Sequence, residues 1–260
     1  MCYNLFMKRN LTQDKTFWCA FVYFCIAVVA IGLFIYRICT WTWQDWFFKP
    51  QYFNPYTVVN VVSRWADFAY LTYIAQLLFC IWAILRFFAV AFDSQRLLKF
   101  TNNSYVVLFV CINQFFVMVA YTLTQLIPGQ NFGFYATDAY AIWSFTTNIL
   151  THYGFTTAAI VYFFLHEHNK IQFRKTLLFL PFFAVYAVIV KVTGMYCYVF
   201  EWYPYPFFSA ESIWFNMFGT LDNFNATYAN LIIALAIALV FAIYVLFLFL
   251  ASKYVNKKAK

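Results

Sequence analysis

Residues 231–251 read LIIALAIALVFAIYVLFLFLA, a run of 21 residues without a charge or a proline. A helix of about 20 apolar residues crosses the hydrocarbon core of a bilayer, so this run predicts a transmembrane helix. The whole chain has the same character: hydrophobic residues make up 65% and charged residues 10%, and the mean hydropathy is +0.70. Soluble domains are far less apolar. The sequence therefore predicts an integral membrane protein.

The same length criterion predicts six spans within a single membrane domain, residues 1–260. Their approximate bounds are 16–40, 64–88, 104–127, 139–165, 176–199 and 227–251. We expect helices, because lipid cannot satisfy backbone polar groups and the strands of a barrel would alternate in polarity. The predicted fold class is an all-α membrane protein with six transmembrane helices.

The basic residues predict the orientation of these spans. Most of them lie before the first span, after the last one, or in the second and fourth connections: Lys8, Arg9, Lys15, Arg96, Lys99, Lys170, Arg174, Lys175, Lys253, Lys257, Lys258 and Lys260. The positive-inside rule then places both termini in the cytoplasm of a multi-pass cell-membrane protein. The net charge of +8 favours contact with anionic lipids. The sequence contains no basic patch interleaved with aromatic residues, which is the pattern that would indicate a nucleic-acid partner.

A histidine near the middle of the fourth predicted span is the first candidate functional residue. Ionisable side chains in hydrocarbon are costly, so one at depth is a functional-site hypothesis by default. Asn148, His152 and Thr156 are spaced by four, which makes one polar stripe on a helix. Thr72 and Gln76 have the same spacing in the second span.

The fifth predicted span also contains a cation, Lys191. At about 1.5 Å of rise per residue, Thr72, His152 and Lys191 can all lie in the outer half of the bilayer. Three helices would then contribute polar groups at a similar depth.

Four ordered segments resemble a known family. They are FAYLTYIAQL at 68–77, ILTHYGFTT at 149–157, VTGM at 192–195 and WYPYPF at 202–207. Their order and approximate spacing over residues 60–210 resemble those of the androgen-induced-gene family of membrane proteins and its bacterial relatives. The resemblance covers more than half of the chain.

The resemblance implies a threonine hydrolase embedded in the membrane that cleaves lipid esters, such as fatty acid esters of hydroxy fatty acids. Thr72 would be the nucleophile and His152 its general base. Lys191 would stabilise an oxyanion or pair with a carboxylate, and Asn148 would orient His152 or donate to the oxyanion. Gln76 would line the same site. The implied partners are membrane lipids and a fatty acid ester substrate, with no cofactor and no metal.

Other function classes remain open at this point. A threonine in a spanning helix often bonds its own i−4 carbonyl, and a histidine can form a structural hydrogen bond between helices. A transporter or lipid-binding subunit, or a structural membrane protein, would also use such polar residues. Within enzymes, acyl transfer to an alcohol competes with hydrolysis. His166 and His168 are two residues apart on the predicted helix and point to different faces, which argues against a zinc site.

Overall fold

The computed structural model describes residues 14–47, 71–125, 139–165, 169–196 and 223–258, together with positions 210, 214 and 218. Every element within these ranges is helical. The α-helices are α1 (Lys15–Phe47), α2 (Leu71–Ala91), α3 (Gln95–Thr101), α4 (Ser104–Gln125), α5 (Ala139–Ile149), α6 (Phe155–Leu165), α7 (Phe173–Thr176), α8 (Leu180–Tyr196) and α9 (Ala226–Lys258). A π-helical segment (Leu150–Gly154) joins α5 to α6, and a 3₁₀ turn (Leu177–Phe179) joins α7 to α8.

Among the described residues, four helical stretches are long and apolar enough to cross a membrane: Lys15–Tyr36, Ile74–Ala91, Ser104–Leu123 and Ala226–Lys258. They correspond to the first, second, third and sixth predicted spans. The predicted fourth span, 139–165, is helical from end to end, but the π-helical segment interrupts its α-helix. The predicted fifth span begins with a short helix and a 3₁₀ turn, after which α8 starts beside Pro181. Proline is tolerated there because the first turn of a helix needs no amide donors.

Small side chains allow α1 and α2 to pack closely. Ala27 and Ala30 of α1 are fully buried. The Ala30 carbonyl accepts a hydrogen bond from Gln76 Nε2 of α2 at 3.3 Å, and the Ala27 carbonyl accepts one from Cys80 Sγ at 3.6 Å. Residue numbers thus rise along α2 as they fall along α1, so the two helices are antiparallel.

Paired contacts give the direction of the other helices. Thr156 bonds to Gln114 of α4, and Tyr153, three residues earlier, bonds to Thr122, eight residues later. The helix α4 is therefore antiparallel to the π-helical segment and α6. Phe79 of α2 contacts Phe155 of α6, and Trp82 contacts Tyr162. Residue numbers rise together along the two helices, so α2 and α6 are parallel. The helix α4 contacts both α2 and α6, and it also contacts α9.

One end of this bundle carries most of the described cations, and we call it the basic end. The start of α1, the end of α2 with α3, the residues around α7 and the end of α9 meet there. Its exposed cations are Lys15, Arg96, Lys99, Lys170, Arg174, Lys175, Lys253, Lys257 and Lys258. The predicted clustering of these basic residues at one end is therefore what the described helices show.

A side chain of α9 holds the segment before α7 at the basic end. The carboxamide of Asn256 accepts from the Ile171 amide at 2.9 Å and donates to the Ile171 carbonyl at 2.8 Å. Both backbone groups of this buried residue are thus satisfied by one side chain. This pairing connects the end of α9 to the start of the helix that leads into α8.

We expect Asn256→Ala to lower the free energy of unfolding by about 1–3 kcal/mol, because it leaves two backbone groups without their partner. Thermal unfolding of the detergent-solubilised protein measures this loss. Asn230→Ala is the matched control, since Asn230 is on the same helix, is exposed and donates to the Ala226 carbonyl within that helix. An equal loss in both variants would contradict the role of Asn256.

Candidate polar site around His152

The π-helical segment is the local feature that positions His152. It covers Leu150–Gly154, and the amide of Phe155 donates to the Leu150 carbonyl, five residues earlier. Such an i→i−5 bond accommodates one extra residue in a helical turn, and segments of this kind are frequent at functional sites. Thr151 and His152 are both buried within it.

Side chains in the segment and just after it bond to backbone carbonyls of the same helical stretch. The Thr151 hydroxyl donates to the Thr147 carbonyl at 2.6 Å, and Nδ1 of His152 lies 2.8 Å from the Asn148 carbonyl oxygen. The Thr156 hydroxyl donates to the His152 carbonyl at 2.9 Å. Each bond reaches a carbonyl four residues earlier, where the α-helical amide would otherwise donate. Side-chain donors therefore compete with backbone amides for three carbonyls of this stretch.

The bond to Asn148 determines which imidazole nitrogen is basic. A carbonyl oxygen only accepts, so Nδ1 of His152 must carry a hydrogen and donate it. In the neutral imidazole the lone pair then belongs to Nε2. His152 is 8% exposed. The contact with Asn148 therefore assigns the donor hydrogen to Nδ1 and, in the neutral ring, the acceptor lone pair to Nε2.

Aromatic contacts from α4 hold the ring in place. Tyr121 stacks on His152 with ring centroids 3.9 Å apart and an interplanar angle of 16°. The neighbouring Thr122 hydroxyl lies 2.9 Å from the Tyr153 hydroxyl, which joins the same two elements. Stacking restricts rotation of the imidazole about its Cβ–Cγ bond. His152 is thus oriented from its own helix and from α4.

Thr156 fastens the segment to α4 from the other side. Its hydroxyl is completely buried and lies 2.8 Å from the Gln114 carbonyl as well as 2.9 Å from the His152 carbonyl. One hydroxyl has one proton, so the two carbonyls share it. Nε2 of buried Gln114 has no hydrogen-bond partner among the described residues. This part of the bundle is therefore polar.

The structure brings together some of the predicted site residues. Asn148 contacts Nδ1 of His152 through its main-chain oxygen, and the role predicted for Asn148 in orienting His152 or donating to an oxyanion stays a prediction. Gln76 is buried and donates to Ala30 of α1, so its carboxamide nitrogen joins two helices. Thr72 is the second residue of α2 and Lys191 belongs to α8. The side chains of these two residues lie outside the part of the chain that the structure describes.

Two residues of this bundle were missed by the sequence interpretation. Tyr121 has no signal in the sequence, because aromatic residues are common throughout the chain. Arg86 has one: it is the only charged residue in the apolar helix α2. It is also only 6% exposed.

Within the described ranges, no group of three or more His, Cys, Asp or Glu side chains is placed to hold a metal ion. The residues around His152 are hydroxyls, amides and aromatic rings. They suit acid–base chemistry and hydrogen bonding.

Comparisons with known protein families, with curated proteins and with solved structures give no match to this chain. The resemblance to the androgen-induced-gene family therefore stays a prediction from the four sequence segments.

We expect Thr156→Val to lower the free energy of unfolding by about 1–2 kcal/mol, because it removes the only hydrogen of a buried, shared bond while keeping the side-chain shape. Thermal unfolding in detergent measures the change. Thr157→Val is the matched control on the next, exposed position of the same helix, and it should change stability by less than about 0.5 kcal/mol. Equal effects of the two substitutions would refute the contribution of the Thr156 bond.

Proposed function

We propose that this chain is a six-span membrane protein that hydrolyses lipid esters within the bilayer, with Thr72 as nucleophile and His152 as general base. The observation that supports this most is the 2.8 Å contact between Nδ1 of His152 and the Asn148 carbonyl. It leaves the lone pair on Nε2, as a base requires. A hydroxyl becomes an effective nucleophile only when an adjacent base takes its proton.

The register between α2 and α6 supports the pairing of Thr72 with His152. The rings of Phe79 and Phe155 stack with centroids 6.4 Å apart. Thr72 precedes Phe79 by seven residues, and Asn148 precedes Phe155 by seven. Because the two helices are parallel, Thr72 and Asn148 are at a similar height along the bundle. The imidazole bonds to the carbonyl of Asn148, so its ring reaches that height.

The proposed reaction has two halves. Nε2 of His152 takes the proton of the Thr72 hydroxyl as its oxygen attacks the ester carbonyl carbon. The tetrahedral intermediate collapses, the alcohol leaves with the proton from His152, and a threonyl ester remains. Water then attacks this ester, again deprotonated by His152, and the carboxylic acid leaves as Thr72 regains its proton. Lys191, Asn148 and Gln76 are the proposed donors near the developing oxyanion.

The surroundings of His152 favour an apolar ester. The bundle exposes large apolar side chains such as Leu77, Ile81 and Leu150 on the same helices that carry the polar site. A lipid substrate dissolved in the bilayer would reach the site without passing through water. If an alcohol instead of water attacks the threonyl ester, the reaction is an acyl transfer.

We expect the detergent-solubilised wild type to react covalently with a fluorophosphonate probe, and Thr72→Ala to lose this labelling. His152→Asn should slow labelling by roughly 100-fold or more, the usual contribution of a general base. This variant places an amide nitrogen near the position of Nδ1, so it keeps the donor to Asn148 and removes only Nε2. Labelling rates are measured by gel fluorescence.

Thr146→Ala is the matched control for Thr72. Thr146 is exposed and its hydroxyl bonds the Ile142 carbonyl within its own helix, so labelling should be unchanged. Unfolding temperatures of all variants separate a loss of chemistry from a loss of fold. Wild-type labelling rates in His152→Asn would show that His152 has a structural role alone, and labelling that persists in Thr72→Ala would place the nucleophile elsewhere.

A further inference from the structure

Arg86 is an ionisable residue in α2 that the proposed hydrolysis does not use. It belongs to the buried stripe of that helix, with Phe79, Ala83 and Val90 on the same side, and it is 6% exposed. The opposite side, which includes Leu77 and Ile81, is exposed. Arg86 therefore points into the bundle rather than towards the surroundings.

Two polar groups without charge lie beside the guanidinium among the described residues. Arg86 donates a side-chain hydrogen bond to the Tyr162 hydroxyl of α6 and lies near the Cys19 thiol of α1. The rings of Tyr23, Trp82 and Tyr162 pack against one another, with centroids 4.5–6.1 Å apart. Nη1 is buried and has no hydrogen-bond partner among the described residues.

The polar tips of the other two rings are directed elsewhere. The Tyr23 hydroxyl donates to the Ala158 carbonyl at 3.0 Å, and the Trp82 indole N–H donates to the Thr101 carbonyl at 3.2 Å. Arginine stays charged at any physiological pH, so it cannot lower the cost of burial by losing its proton. A buried guanidinium next to neutral groups calls for an anion.

We infer that Arg86 binds the phosphate of an anionic phospholipid from the leaflet at the basic end. Arg86 lies five residues before the end of α2, about 7–8 Å from it, which suits the depth of a lipid headgroup. The guanidinium fork matches two phosphate oxygens. This inference is independent of the proposed hydrolase activity.

Two neighbouring features favour a lipid over a free phosphate ion. The nine exposed cations of the basic end attract anionic headgroups to this leaflet. Next to Arg86, Phe87 contacts Phe17, Phe21 and Phe24 of α1, with ring centroids 4.6–6.0 Å apart. Exposed aromatic rings of the same surface, at Trp18 and Phe88, give acyl chains a surface to pack against.

The test is the unfolding temperature of the purified protein in neutral detergent with added phosphatidylglycerol, phosphatidylcholine or inorganic phosphate. Phosphatidylglycerol should raise the wild-type value by about 5 °C, as expected for a ligand well above its dissociation constant. Phosphatidylcholine and inorganic phosphate should not. Arg86→Met should lose the increment, and without anionic lipid it should be at least as stable as wild type, because it no longer buries a charge.

Arg96→Met is the matched control: it removes one exposed cation at the same end and should keep the increment. Arg86→Lys keeps the charge without the fork, and its affinity for phosphatidylglycerol should fall about tenfold. Arg86→Lys also tests the lipid site if Arg86→Met does not fold. Wild-type stabilisation in Arg86→Lys, or an equal loss in Arg96→Met, would overturn the site. An equal response to inorganic phosphate would overturn the lipid as its source.

Discussion

The absence of hydrogen-bond partners in hydrocarbon is the constraint on which this structure depends. Polar side chains inside the bundle turn to backbone carbonyls. Thr101, Asn113 and Thr122 each donate to the carbonyl four residues earlier in their own helix. Others reach a different helix, as Tyr23 does to Ala158 and Gln76 does to Ala30. These bonds across helices fix the register of the bundle, and the His152 region follows the same rule with several donors in succession.

His152 and Arg86 respond differently to burial in this bundle. A histidine can exist as a neutral ring with one donor and one acceptor nitrogen, so a carbonyl and an aromatic stack are sufficient partners. An arginine remains a cation and needs an anion or water. The hydrolase proposal and the lipid proposal both follow from this difference in chemistry. They concern different heights along the bundle, one at the level of Asn148 and the other close to the basic end.

Much of the helical layout could be predicted from the sequence. Residues 139–165, predicted as one span, are helical at every position, and α9 includes the predicted 227–251. It continues to Lys258 because nothing in Ser252–Lys258 breaks a helix outside the hydrocarbon. The π-helical segment was not predicted, since periodicity of apolar residues does not register one extra residue in a turn. Arg86 was not among the predicted site residues, because the predicted site lies in the outer half of the bilayer and Arg86 is near the other end of the second span.

The candidate site also combines features that the sequence predicts with contacts that depend on how the helices pack. The spacing of four predicted that Asn148 and His152 share one helix face. The contact that the structure shows is with the main-chain oxygen of Asn148 and depends on local backbone geometry. The stacking of Tyr121 on His152 and the sharing of one Thr156 proton depend on how α4 packs, which is not encoded in any single segment.

The sequence by itself determined that the chain forms long apolar helices with basic residues collected at one end. It could do so because hydrocarbon thickness and the demand for internal backbone hydrogen bonds act on each segment separately. Only the tertiary structure decided which polar groups meet. The tautomer of His152, the burial of Arg86 and the union of α1 with α2 through Gln76 each depend on a partner from another turn or another helix, and hydrogen bonds extend over only about 3 Å.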